Sequence, residues 1–241
     1  MDLGIDGRVA IVTASSKGLG KASAEALVAE GVAVVICARG RDALDATAEG
    51  LRAAGGRVLA VEADVTQPEV PAQLVGAALD EFGQIDIVVA NAGGPPPMRA
   101  LDVDADAVHA AVEANLLTSV RLAQEALPHL RAQRWGRLCF IASVSVRQPI
   151  GDLALSNIAR TGLWAWAKTA AQDLAGDGIT VNLACPGLHA TDRVTQLGHT
   201  GDRIGDPADF GKVVAFLCSE PARFVSGIAM GVDGATVSGL L

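Results

Sequence analysis

The sequence contains no tyrosine, and aromatic residues make up only 3% of its 241 positions. Its formal net charge is −8, so it lacks the excess of basic residues that is typical of proteins that bind nucleic acids or membrane surfaces. No uncharged apolar run reaches about 18 residues, the length that a membrane-spanning helix needs. The 27 glycines show no three-residue period, which excludes a collagen-like chain. Half of the residues are hydrophobic, so the composition indicates a globular protein with a large core that binds neither nucleic acid nor membrane.

The four cysteines lie far apart and show neither a Cys-x-x-Cys pattern nor the Cys/His spacing of a metal site; they are Cys37, Cys139, Cys185 and Cys218. Three of them fall in apolar runs that are typical of strands, so buried, reduced thiols are expected. The sequence therefore predicts no disulfide and no metal. Met1 leads almost directly into the first apolar run, which leaves no room for a signal peptide, so the cytoplasm is the expected location.

Short β-branched runs alternate with alanine-rich helical stretches along the whole chain. The predicted strands are Val9–Ala14, Ala33–Ala38, Val58–Glu62, Ile85–Ala90, Gly136–Ser143, Thr180–Cys185 and Ile228–Val232. The predicted helices are Leu19–Glu30, Asp42–Ala54, Glu69–Phe82, Asp104–Gln133, Leu153–Ala175 and Pro207–Ser219. This pattern predicts one doubly wound, Rossmann-like α/β domain over residues 1–241, with a parallel sheet of about seven strands. Residues 186–206 show no clear periodicity and are expected to form a substrate lid.

A glycine-rich turn joins the first predicted strand to the first predicted helix. It runs Thr13-Ala14-Ser15-Ser16-Lys17-Gly18-Leu19-Gly20. Such a turn lets the backbone approach a pyrophosphate, and the helix that follows supplies free N–H groups and a partial positive charge. The turn therefore indicates a dinucleotide site.

Further motifs follow in an order that resembles the short-chain dehydrogenase/reductase family over nearly the whole chain. The turn matches the family's Thr-Gly-x-x-x-Gly-x-Gly, except that Ala14 replaces the first glycine, which a negative φ would tolerate. The other matching segments are Asp64-Val65, Asn91-Ala92-Gly93, Pro186-Gly187-Leu188-His189-Ala190-Thr191 and Val232-Asp233-Gly234. The resemblance implies that the turn and the first three of these segments bind the cofactor. The subfamily is similar to 3-oxoacyl carrier-protein reductases.

The end of the second strand bears on which dinucleotide is bound. It runs Cys37-Ala38-Arg39, without the carboxylate that NAD-preferring sites place near the ribose 2′-hydroxyl. Lys17 in the glycine-rich turn can converge with Arg39, and two cations suit a 2′-phosphate. The sequence therefore predicts NADP(H); the alternative is that both residues are solvated surface charges.

The resemblance also implies an active site, and there the sequence departs from the family. Asn115 and Ser143 match the family's active-site asparagine and serine. The family's Tyr-x-x-x-Lys pair falls on Ser156 and Arg160, the first of them thirteen residues after Ser143. In the family, the lysine lowers the pKa of the phenol, which then acts as a general acid.

Ser156 and Arg160 cannot carry out that proton transfer, because a serine hydroxyl is a far weaker acid and a guanidinium does not release its proton. The proton is expected from water or from His189, since histidine titrates near neutral pH. Ser143 is expected to hydrogen-bond a substrate carbonyl. Arg160 is expected to hold the nicotinamide ribose or a developing oxyanion.

The substrate region is expected to be mostly apolar. Residues 94–98 and 146–150, with Leu188 and the lid, would line it, and Arg147 is its one predicted cation unless it points to solvent. This lining suits a hydrophobic carbonyl compound or an acyl group that bears an anion. The main hypothesis is NADPH-dependent reduction of a carbonyl or related C=X group with an atypical proton source. The alternatives are a catalytically silent NADP-binding sensor or partner protein, and a dehydratase or isomerase.

Members of the family commonly form tetramers through their two longest helices. These correspond to Asp104–Gln133 and Leu153–Ala175 in this sequence, and the second helix has apolar residues on more than one side. The resemblance therefore implies a homotetramer, with a dimer as the second possibility.

Overall fold

Seven parallel strands form one sheet in the computed structural model, which describes residues 1–196, 198 and 203–239. Their order is β3-β2-β1-β4-β5-β6-β7, so the chain winds outward from β1 in one direction and from β4 in the other. The strands are β1 Val9–Val12, β2 Ala33–Ala38, β3 Val58–Glu62, β4 Ile87–Ala90, β5 Gly136–Ile141, β6 Ile179–Pro186 and β7 Ala229–Val232. The predicted doubly wound, Rossmann-like sheet of seven strands is confirmed.

Helices cover both faces of this sheet. They are α1 Gly18–Ala29, α2 Arg41–Ala53, α3 Val70–Phe82, α4 Ala105–Val112, α5 Thr118–Gln133, α6 Ala154–Asp173, α7 Asp192–Gln196 and α8 Pro207–Leu217. Successive strand residues point to opposite faces. Val9 and Ile11 of β1 therefore join the core beneath α3, α5 and α6, while Ala10 and Val12 join the core beneath α1, α2 and α8. Because both faces are buried, the strands are continuous apolar runs in the sequence.

The long helix that the sequence predicts over Asp104–Gln133 is interrupted, which corrects that prediction. A π-helical turn occupies Glu113–Leu117, between the end of α4 and the start of α5. A π-helical turn takes up only one extra residue, and the segments on both sides keep a helical period, so sequence periodicity does not reveal it. Such turns are frequent at functional sites, and this one contains Asn115.

The segment predicted as a lid over residues 186–206 is only partly irregular. Its first residue ends β6, and Asp192–Gln196 form the short helix α7. The segment then returns to its own start, where Gly205 pairs with His189. Within the predicted lid, residues 197 and 199–202 lie outside the described part of the chain.

Candidate active site

The predicted cofactor residues lie at the carboxyl edge of the sheet, in the segments that follow β1, β2, β3, β4 and β6. These segments supply Thr13, Ser15, Ser16, Lys17, Gly18, Leu19, Gly20, Arg39, Asp64, Val65, Asn91, Ala92, Gly93, Pro186, Gly187, His189 and Thr191. Arg160 alone comes from the middle of a helix, α6. Ligands of open parallel sheets bind at this edge, where the strand order reverses. Here the order reverses between β1 and β4.

The glycine-rich turn after β1 has a strained backbone. Ala14 has a φ of +46° and Gly18 a φ of +57°, both in the left-handed region. The expectation of a negative φ at Ala14 is therefore wrong, and the left-handed conformation costs alanine about 1–2 kcal/mol. Ser15 holds the turn in place, because its hydroxyl donates to Val12 O at 2.7 Å and accepts from the Cys37 N–H at 3.0 Å.

The ends of β1 and β4 are held together by contacts among Thr13, Gly20 and Asn91. Thr13 Oγ1 donates to Asn91 O at 2.7 Å and accepts from the Asn91 N–H at 2.8 Å. Asn91 Nδ2 in turn donates to Ala14 O at 3.2 Å. A Cβ atom at Gly20 would collide with Ala14 O and lie 2.8 Å from Asn91 Nδ2, so only glycine fits there. These contacts shape a backbone cradle of the kind that holds a pyrophosphate.

Lys17 and Arg39, the predicted 2′-phosphate pair, are both exposed but meet different partners. Lys17 Nζ lies 3.1 Å from Asp192 Oδ2, which links the glycine-rich turn to α7. Asp64 accepts a hydrogen bond from the Thr66 N–H, which is the main reason that its pKa lies below the ordinary value, and the charge of Arg39 lowers this pKa further. Sequence reasoning missed Asp192, because a contact between residues 175 positions apart leaves no local signal.

Helix α6 packs against both the π-helical turn and the short turn that follows β5, so the elements that carry the predicted catalytic residues meet. Ser156 and Arg160 lie one helical turn apart on α6 and are both buried. Asn115 is buried in the π-helical turn, and its Oδ1 has no hydrogen-bond partner among the described residues. Ser143 Oγ accepts a hydrogen bond from the Ser145 N–H at 3.1 Å. Asn115 Oδ1 is therefore a free acceptor within this group.

The Arg160 guanidinium is buried, and no carboxylate in the described ranges forms an ion pair with it. Its Nη1 donates to Ile141 O at 2.7 Å and its Nη2 to Ala92 O at 3.4 Å, at the ends of β5 and β4. Burial is the main cause that lowers its pKa to about 10, and the positive charge of Arg193 acts in the same direction. Arg160 therefore remains a cation at neutral pH, and two carbonyl oxygens do not use all five of its N–H donors.

His189 is packed away from α6. Its ring meets Phe210 of α8 edge to face, with 5.2 Å between the ring centroids, and Nδ1 lies 3.4 Å from Gly187 O. Burial is the main cause that lowers its pKa below the ordinary value. Because α8 and α6 cover opposite faces of the sheet, this imidazole supports the base of the lid and is poorly placed to donate a proton beside Arg160.

The loop after β6 is hydrogen-bonded to other segments at both ends. The Gly187 N–H donates to Val232 O at 3.0 Å, and a Cβ atom at Gly187 would lie 2.8 Å from Asp233 Cα. At the other end, Arg193 Nη2 donates to Pro95 O at 2.7 Å in the loop after β4. Sequence reasoning missed Arg193, because nothing in its neighbourhood in the sequence points to the Gly94–Pro97 loop.

Arg147, the predicted cation of the substrate region, lies against β7. Its Nη1 is 3.8 Å from the position that a Cβ atom would take at Gly231. Arg193 lies against the loop after β4, where its Nη2 and Nε are 3.4 and 3.5 Å from the position that a Cβ atom would take at Gly94. The structure therefore adds a second cation, Arg193, to the predicted substrate region.

Comparisons with known proteins agree with this geometry. A family model described as enoyl-(acyl carrier protein) reductase matches residues 13–235. The 3-oxoacyl-[acyl-carrier-protein] reductase of Synechocystis is 35% identical over 95% of this chain and 97% of its own length. Tropinone reductase-like 3 of Erythroxylum coca is 34% identical over 98% of this chain and 95% of its own length. The crystal structure of L-sorbose reductase from Gluconobacter frateurii, complexed with NADPH and L-sorbose, has a TM-score of 0.93 at 32% identity and covers 100% of both chains.

The sheet, the glycine-rich turn and the groups around α6 define an oxidoreductase built on a dinucleotide-binding fold. The chain belongs to the short-chain dehydrogenase/reductase family. The resemblance that the ordered motifs indicate, including the similarity to 3-oxoacyl carrier-protein reductases, is confirmed.

Proposed function

We propose that this protein reduces a carbonyl or related C=X group with NADPH, and that water supplies the proton. The observation that carries the proposal is the buried Arg160 cation at the ends of β4 and β5, on a helix that packs against the turns that contain Asn115 and follow Ser143. Bound NADPH supplies a hydride to the carbonyl carbon. Ser143 donates a hydrogen bond to the carbonyl oxygen, Arg160 stabilises the charge that develops there, and Asn115 Oδ1 holds a water molecule. The oxygen takes its proton from water, which leaves hydroxide.

The cradle around Gly20 fits a dinucleotide, and charge favours NADPH over NADH. Arg39 directly follows β2 and Lys17 lies in the glycine-rich turn, and no carboxylate ends β2. Charge-assisted contacts to a 2′-phosphate favour NADPH binding by about tenfold or more. Calorimetry of both cofactors tests this preference, and equal or tighter binding of NADH would contradict it.

Water is the proposed proton source because neither side-chain candidate fits. A serine hydroxyl is too weak an acid, and His189 lies against Phe210 on the far side of the sheet from α6. Ser156→Ala is therefore expected to keep turnover within about tenfold of the unmodified protein. A loss of about a thousandfold at unchanged NADPH affinity would instead make the Ser156 hydroxyl a direct participant.

A panel of ketones, 3-oxoacyl thioesters and imines, followed by NADPH absorbance, tests the activity itself. Turnover of at least one of these classes is expected. The absence of tyrosine favours a second candidate, a catalytically silent NADP-binding protein that acts as a sensor or partner subunit. NADPH binding without turnover of any compound in the panel would support that second candidate.

We further propose a homotetramer in the cytoplasm. Ile158 on α6 is 44% exposed, and Trp164 and Trp166 are only half-buried, so this helix offers apolar surface beyond its core face. A monomer mass in light scattering at micromolar protein would overturn the proposed tetramer.

The four cysteines are all free thiols, which suits a reducing compartment such as the cytoplasm. Over the described ranges, no helix is long and apolar enough to cross a membrane.

A further inference from the structure

Two cations contact the loop after β4: the buried Arg160 donates to Ala92 O, and the charge of Arg193 acts on Arg160 from the same loop. Arg193 reaches from α7 to the loop after β4, where Nη2 donates to Pro95 O at 2.7 Å. Its guanidinium packs against Gly94 of the same loop. In the part of the chain that the structure describes, neither arginine forms an ion pair.

Two acidic residues in the described part of the chain, Asp192 next to Arg193 and Asp233 after β7, have other partners. Asp192 pairs with Lys17 at 3.1 Å. Asp233 accepts hydrogen bonds from the backbone N–H groups of Ala235 and Val237 at 3.2 and 2.9 Å. A buried cation without an ionic partner is unfavourable, and Arg160 is such a cation among the described residues. With the half-buried Arg193 at the same loop, two positive charges are available there for an anion.

We propose that the substrate of this reductase carries a carboxylate, and that Arg193 binds it beside Arg160. The inference rests on the proposed carbonyl reduction and narrows it to oxo acids. Arg160 lies at the ends of β4 and β5, where the reacting carbonyl is expected, and Arg193 approaches from the lid side of the same strands. The guanidinium of Arg193 suits a carboxylate, since its planar fork donates two parallel hydrogen bonds.

Kinetic measurements on matched substrates test the proposal. Each oxo acid in a panel is compared with its methyl ester in the protein with saturating NADPH. The acids are expected to have a kcat/KM about tenfold or more above the esters, and Arg193→Gln should remove this preference mainly through KM. Arg193→Lys should restore part of it. Arg131→Gln is the matched control, because Arg131 is an exposed arginine that pairs with Asp177 at the opposite edge of the sheet.

Two outcomes would overturn the proposal. If esters react as well as acids in the unmodified protein, the active site does not recognise a carboxylate on the substrate. Arg193→Gln that weakens NADPH binding without changing the acid preference would show that a phosphate of the cofactor is the anion instead.

A binding measurement separates this proposal from the proposed reduction. Phenylacetate and its neutral analogue phenylacetamide are titrated into the protein saturated with NADP⁺. Tighter binding of phenylacetate that is lost in Arg193→Gln, in a protein that turns over no carbonyl compound, would support the anion site and contradict the reductase. Equal binding of both compounds in the unmodified protein, together with no preference for acids in turnover, would contradict the anion site.

Discussion

Two buried arginines at opposite edges of the sheet have very different surroundings. Arg137 is the second residue of β5, at the amino edge, where Nη2 lies 3.0 Å from Glu220 Oε2 and Nε donates to Ser219 O at 3.1 Å. Its Nη1 donates to the carbonyl oxygens of Gly136 and Gly178. Arg160 at the carboxyl edge has two carbonyl oxygens and no carboxylate among the residues described. Burial lowers the pKa of both groups.

The amino edge adds further partners around Arg137. Its guanidinium lies 4.2 Å from the centre of the Trp135 ring, and Arg8 lies 3.8 Å from the same ring. Arg8 also pairs with the buried Asp86 at 2.9 Å. Every charge in this cluster therefore has a partner within the protein, so the cluster serves to stabilise the fold. The contrast with Arg137 indicates that the N–H groups of Arg160 without a partner among the described residues donate hydrogen bonds to ligands.

The largest effect is expected from removing the fully partnered arginine. Arg137→Met leaves carbonyl oxygens without donors and takes a cation from Glu220, so it should lower the free energy of unfolding by about 3 kcal/mol. Urea unfolding measures this change. Arg131→Met, which breaks the exposed pair with Asp177, should change it by less than about 1 kcal/mol. Similar effects of the two substitutions would mean that the Arg137 network contributes little to stability.

At the carboxyl edge, removing the buried arginine is expected to reduce activity and not stability. Arg160→Met removes a buried charge that no described carboxylate offsets, so the free energy of unfolding should stay constant or rise. Turnover should fall by about a hundredfold or more, because one fixed donor to the developing oxyanion is lost. Parallel urea unfolding and steady-state kinetics measure both quantities. A marked loss of stability would show that the Ile141 and Ala92 carbonyl contacts already offset the burial of the charge.

Strain at the carboxyl edge offers a smaller test of the same contrast. Ala14→Gly relieves the left-handed backbone at φ +46°, so it should stabilise the protein by about 1 kcal/mol, or about 2–4 °C in Tm. Differential scanning calorimetry measures the shift. Ala53→Gly, at the exposed end of α2, is the matched control and should lower Tm slightly, because glycine costs conformational entropy there. A lower Tm for Ala14→Gly would show that the turn is not strained.

The sequence predicts the strands and the glycine-rich turn well, because both depend on local patterns: apolar runs of strand length and glycines at fixed spacing. It does not predict the partners of charged groups, since contacts such as Arg193 with Pro95 and Arg137 with Glu220 join residues far apart in the chain. It places His189 in the correct loop but does not show that the imidazole packs against α8. It also hides the left-handed Ala14, because alanine gives no signal of a positive φ.

The smallest effect is expected from an exposed ion pair that spans the cofactor cleft. Asp192 neutralises Lys17, which is one of two cations proposed to bind the 2′-phosphate. Asp192→Asn frees Lys17 and removes a negative charge from the cleft, so the Kd for NADPH should fall by about two- to fivefold, more at low salt. Calorimetry measures the change, with NADH as a ligand that lacks the 2′-phosphate and should gain less.

Asp209→Asn is the matched control, because Asp209 forms an equally exposed pair with Lys212 on α8, and NADPH affinity should not change. Weaker NADPH binding in Asp192→Asn would reverse the interpretation. The Lys17–Asp192 pair would then hold α7 over the bound cofactor. Cofactor binding at the carboxyl edge would depend on an ion pair within the protein, as the stability of the amino edge does.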